Sequence, residues 1–143
     1  MARMTDMCLP ASTNASATQR VLIVDDQAAM RGALRYLVAL CLPAARIVEA
    51  ADGAQGMASA ESLQPDLVIM DVRLPDADGI DLTRRLRSRF PRAKVIVISI
   101  DGSKPNALNA RAAGAFAFVS KERLYADLQP LLVALRDDTS RRA

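Results

Sequence analysis

Asp25, Asp26, Asp71, Ser99 and Lys121 are the residues whose types could do chemistry together. Each closes or follows a short run rich in valine and isoleucine. A lone aspartate in that place is ordinarily a turn or cap residue, and a lone serine or lysine there says little. The set says more, because open parallel sheets bind ligands beyond the carboxyl ends of their strands. All five side chains would then meet on one rim. Packed carboxylates repel one another and favour a hard divalent cation such as Mg²⁺ or Mn²⁺. A metal-bound carboxylate beside a fixed ammonium can attack a phosphoryl group, with the cation and the lysine neutralising charge on the transferred oxygens. A strand-end hydroxyl can hydrogen-bond one of those oxygens. The nucleophile would be a carboxylate, which carries no proton and needs no base.

The elements that must position these residues are visible as five apolar runs: Val21–Val24, Arg46–Ala50, Leu67–Met70, Val95–Ser99 and Phe116–Val119. The first, third and fourth are nearly continuous, as strands buried on both faces are. Helical stripes lie between and after them. Met30, Leu34, Leu37, Val38 and Cys41 form one; Leu82, Leu86 and Phe90 mark another; Leu124, Leu128, Leu131, Leu132 and Leu135 mark the last. Strand and helix alternate five times, which predicts an α/β fold around a central parallel sheet with right-handed crossovers. Pro130 interrupts the last stripe, so that helix is expected to start late, with Asp127 as its N-cap and Pro130 in its first turn. Residues 1–19 are expected to be a disordered leader, 20–137 the single folded domain and 138–143 a polar tail.

Composition excludes several other chemistries. The 143 residues contain no histidine, so neither a Ser-His-Asp nor a Cys-His centre can exist, nor a zinc site with histidine ligands. Two cysteines, Cys8 and Cys41, make no disulfide framework and suit a reducing, cytoplasmic setting; Cys41 reads as a small core residue. The longest apolar run, Tyr36 to Ala45, is too short to span a bilayer. Tryptophan is absent and aromatic residues are few, a poor set for stacking bases. Arg84, Arg85, Arg87, Arg89, Arg92 and Lys94 lie close together, but a solvated helix face opposite Leu82, Leu86 and Phe90 explains them without nucleic acid. The stretch ADGAQG at 51–56 lacks the spacing of a phosphate-binding loop.

The segments VLIVDD at 21–26, DLVIMDVRLPDADG at 66–79, VIVIS at 95–99 and GAFAFVSK at 114–121 resemble response-regulator receiver domains, above all those that precede helix-turn-helix output domains. The resemblance covers about residues 20–136. It implies a doubly wound, flavodoxin-like sheet of five parallel strands in the order 2-1-3-4-5, with helices on both faces. It implies Asp71 as phosphoacceptor. Asp26, Asp71 and the backbone carbonyl of Arg73 would bind Mg²⁺ directly, with Asp25 assisting through water. Ser99 would contact the phosphoryl group and Lys121 would pair with it. Phe118 takes the aromatic switch position coupled to Ser99, although core packing alone would also account for it. Pro75 and Gly79 would shape the loop after Asp71.

Two positions depart from the family: Glu122 follows the lysine where proline is frequent, and Ile100 follows the switch hydroxyl where a small residue is frequent. By the same resemblance Arg73 and Asp101 flank the path of hydrolytic water, and an ion pair between them would gate it. The leading expectation is a stand-alone receiver. It would take its phosphoryl group from a histidine kinase or phosphotransfer protein and signal to a protein partner or through a homodimer. No specific nucleic acid and no membrane is expected as partner, since nothing after residue 137 is long enough to form a DNA-binding domain. A receiver cut from a longer regulator or hybrid kinase is the alternative. A phosphohydrolase with an aspartyl intermediate fits less well, because Arg73 stands where such enzymes usually carry a second aspartate.

Overall fold

A computed structural model describes residues 18–142, with side chains to residue 137. Most of the expected leader therefore lies outside the described residues. The elements alternate as β1 (Arg20–Val24), α1 (Ala28–Cys41), β2 (Arg46–Ala50), α2 (Gly53–Leu63), β3 (Leu67–Asp71), α3 (Gly79–Arg89), β4 (Lys94–Ser99), α4 (Lys104–Ala112), β5 (Ala117–Ser120) and α5 (Leu124–Arg142), with a 3₁₀ turn at Lys121–Arg123. The strands form one parallel sheet in the order β2-β1-β3-β4-β5, the predicted 2-1-3-4-5.

The near-continuous runs form the three central strands, β1, β3 and β4, and the side-chain alternation divides their residues between two cores. Val21, Ile23, Leu67, Ile69, Ile96 and Ile98 face α1 and α5, against Leu34, Val38, Leu128 and Leu132. Leu22, Val24, Val68, Met70, Val95 and Val97 face α2, α3 and α4, against Ala60, Leu82, Leu86 and Ala110. Polar residues fall on the edge strands: β2 exposes Arg46 and Glu49, which suits an edge that must not pair with another chain. Cys41 is buried in the first core as expected. Among the described residues no helix is long and apolar enough to cross a membrane.

The late start expected for the last helix is not found. α5 begins at Leu124, directly after the 3₁₀ turn, and Pro130 lies inside it. The reason is tertiary. Leu124, Leu128, Leu132 and Leu135 are all buried, and that continuous stripe outweighs the one backbone hydrogen bond that proline cannot make. The same helix continues through residues 138–142.

Pro130→Ala should therefore stabilise the protein by about 1–3 kcal/mol, by restoring a donor and removing a ring clash. Leu132→Ala should cost about 2–5 kcal/mol, since the side chain is fully buried. Urea unfolding of both variants checks this, and a lower midpoint for Pro130→Ala would contradict the uninterrupted helix.

Candidate functional site

The carboxyl ends of β1, β3, β4 and β5 bring Asp25, Asp26, Asp71, Ser99 and Lys121 together. Each carboxylate of Asp25, Asp26 and Asp71 offers an oxygen within 4.8 Å of the others. Asp25, Asp71 and Ser99 are buried, whereas Asp26 is exposed. Lys121 follows β5 directly, and its Nζ lies 3.1 Å from Asp25 Oδ2 and 3.3 Å from Asp71 Oδ1. Its side chain is only 9% exposed, so this pair of contacts is shielded from salt far more than a surface ion pair. A cleft of about 290 Å³ opens above them; Asp26, Asp71, Ser99 and Lys121 line it, together with Arg73 and Ile100.

Local hydrogen bonds set the side chains. Asp25 Oδ1 accepts the Gln27 N–H at 2.8 Å, turning the chain from β1 into α1. Ser99 Oγ accepts the Asp101 N–H at 3.1 Å. The loop after Asp71 folds back on itself: Gly79 N–H donates to Val72 O at 2.7 Å, and Arg73 and Asp78 form an antiparallel bridge. Asp78 then caps α3 by accepting the Ile80 N–H at 2.8 Å. A Cβ at position 79 would stand 1.9 Å from the Asp71 carbonyl oxygen, so only glycine lets α3 start that close to the strand end.

Burial holds the Asp71 carboxyl above its ordinary value, with the Asp25 charge adding to the effect; Lys121 and the Arg73 backbone N–H oppose it. This environment suits an oxygen-ligated cation. Two of the three carboxylates share one ammonium, among the described residues Asp26 has none, and a hard divalent ion would relieve the remaining repulsion.

The other expected residues fall in different places. Arg73 lines the cleft, and Ile100 stands on its rim, 70% exposed. Phe118 is half-buried, paired with Val97 in the sheet and packed against the core of α2, α3 and α4; it is not part of the cleft wall. Arg73 and Asp101 both line the cleft, but among the described residues no ion pair joins them. The Asp101 carboxylate instead accepts the Ser103 N–H at 3.0 Å, a turn bond leading into α4, so the expected pair is not formed in the unphosphorylated chain. The basic run is largely occupied: Arg84 pairs with Asp81, Arg89 with Glu61, and Arg87 donates to the carbonyls of Pro91 and Ala93.

Sequence reasoning missed two parts of the site. Gln27 lines the cleft, and its position next to Asp26 was the available signal. Asp76, in the loop after Asp71, reaches the start of α2 and accepts the N–H groups of Gly53 at 2.7 Å and Ala54 at 2.9 Å. Those bonds hold its carboxyl below the ordinary value. They tie the loop beside the cleft to a second helix, and nothing in the sequence marked that pairing.

The match to the family model of the response regulator receiver domain spans residues 21–132. The chain belongs to that family. This receiver is 37% identical over 105 residues to the chemotaxis protein CheY of Thermotoga maritima, covering 72% of this chain and 85% of that one. It is 28% identical over 108 residues to the nitrate/nitrite response regulator protein NarL of Escherichia coli, covering 76% of this chain and 50% of NarL. It thus spans about half the length of that relative. The CheY-like receiver domain protein from Methanospirillum hungatei superposes with a TM-score of 0.77 at 25% identity, covering 88% of this chain and 99% of that one. Receivers are phosphoacceptor modules of two-component signalling, which pair with histidine kinases, and the acidic triad seen here is typical of their cation site.

The raised Asp71 value gives a pH-dependent expectation. The folded form holds that proton more tightly than the unfolded form, so the wild type loses stability as pH rises from the ordinary 3.8 through the raised value. Asp71→Asn removes that loss. Without metal its melting midpoint should exceed the wild type's at pH 7, and the gap should close as pH falls below 3.8. A lower midpoint for the variant at pH 7 would count against the repulsion described.

Proposed function

We propose that Asp71 accepts a phosphoryl group from a phosphohistidine of a histidine kinase or phosphotransfer protein. A carboxylate oxygen of Asp71 forms the new P–O bond, the P–N bond breaks, and its electron pair stays on the imidazole nitrogen. Asp25, Asp26, Asp71 and the Arg73 carbonyl would hold Mg²⁺, or Mn²⁺ in its place, which supplies positive charge to the phosphoryl oxygens. Lys121 keeps its ammonium against Asp71 and pairs with the transferred group. Ser99 hydrogen-bonds one of its oxygens, and Phe118 responds by changing the surface around β5. The observation that carries this reading is Lys121 Nζ held between Asp25 and Asp71 at the rim of an open cleft.

Incubation with Mg²⁺ and acetyl phosphate should add one phosphoryl group by intact mass. Asp71→Asn should abolish the addition, and Lys121→Ala should slow it by about 10²–10³-fold, the usual loss when one charge-stabilising group is removed. Full labelling of Asp71→Asn would sink the assignment.

Two readings of the output remain, each with its own support. Coverage of 85% of the Thermotoga CheY favours a single-domain cytoplasmic receiver that acts on a protein partner. Coverage of half of NarL favours the receiver part of a longer regulator. Sequencing the reading frame beyond codon 143 separates them.

A further inference from the structure

Asp25 is fully buried, and its carbonyl lies between two ordered systems: after the last residue of β1 and before Gln27, whose carbonyl takes the Arg31 N–H at 3.0 Å. A buried carbonyl in such a gap needs a partner. The Arg31 guanidinium supplies it, donating from Nη1 to Asp25 O at 2.7 Å. The same guanidinium is anchored behind: its Nε lies 3.1 Å from Glu49 Oε1 on β2, and Glu49 Oε2 also takes Arg35 at 3.2 Å. The Asp25 N–H meanwhile donates to Ala50 O at 3.1 Å, on the same strand. Both the amide and the carbonyl of Asp25 are thus referred to the edge strand β2, one directly and one through Arg31.

We propose that Arg31 is a positioning residue for the cation site. By holding the Asp25 carbonyl it fixes the plane of the Asp25–Asp26 peptide, and so the direction in which the exposed Asp26 carboxylate leaves the backbone. Asp26 has no such restraint of its own; among the described residues no side-chain hydrogen bond or ion pair to its carboxylate is found. The inference rests on the cation reading of this site and names a residue outside the ligand set that the reading needs.

Charge and position predict opposite signs, which makes the idea testable. Removing a positive charge that sits against the Asp25 backbone would by itself tighten cation binding. Losing the fixed peptide plane would weaken it, by about tenfold if Arg31 behaves like other residues that orient metal ligands. Titration calorimetry with Mg²⁺ on the unphosphorylated chain measures this directly. R31M is expected to bind Mg²⁺ about tenfold more weakly. R31K keeps the charge but lacks the planar fork that spans Glu49 and the carbonyl, so it should fall between R31M and wild type. A merely structural arginine would lower the metal-free melting midpoint and leave the dissociation constant of the folded protein where it was. Unchanged or tighter binding in R31M overturns the proposal; should R31M fail to fold, wild-type affinity in R31K does so. Absence of Mg²⁺ binding in the wild type would sink the cation reading and this inference together.

Discussion

Two buried carboxylates at the ends of adjacent strands are repulsive, and in this molecule Lys121 is what makes the arrangement tolerable. Its ammonium touches both Asp25 and Asp71 and is itself nearly enclosed. The sheet order does the rest. β1 and β3 are neighbours, so their terminal aspartates converge; β5, at the sheet edge, can send a long side chain across the end of β4. A short side chain there would leave a buried pair uncompensated, a far costlier state than an exposed pair left open. The site is therefore partly compensated but still rich in negative charge, and that surplus is what a cation would engage, supplying in turn the positive charge that a phosphoryl group needs.

Around this centre the loops are held by their own aspartates. Asp78 starts α3, Asp76 grips the start of α2, and Asp101 turns the chain into α4. Each uses its carboxylate on backbone N–H groups. Acidic residues next to the cleft thus divide into those that face it and those that build its walls, and only geometry separates the two kinds.

The sequence revealed most where burial is two-sided. Val21–Val24, Leu67–Met70 and Val95–Ser99 could hardly be anything but central strands, and their ends located the site. α1 and α3 were legible from leucine stripes. α2 and α4 were not, because apart from Leu63 their buried faces rest on Gly53, Gly56, Ala60 and Ala110, small residues that leave no clear apolar period. Pro130 misled for the opposite reason: a strong local rule yielded to the burial of four leucines. Asp101 misled because opposite charges on one rim were paired across space, while a backbone N–H two residues away was the nearer partner. Asp76 and Arg31 were silent, since a turn aspartate and a helix arginine are ordinary until the fold places them.

Lys121 and Asp25 are 96 residues apart in the chain. That separation ties the site to the whole length of the fold. Contacts so distant in sequence carry a loop-closure cost that the intervening sheet must meet. A chain that has assembled β1 to β4 but not docked β5 holds its carboxylates without their counter-charge. The acceptor is thus a property of the whole sheet: no sub-assembly of it that lacks β5 carries the ammonium that Asp25 and Asp71 share.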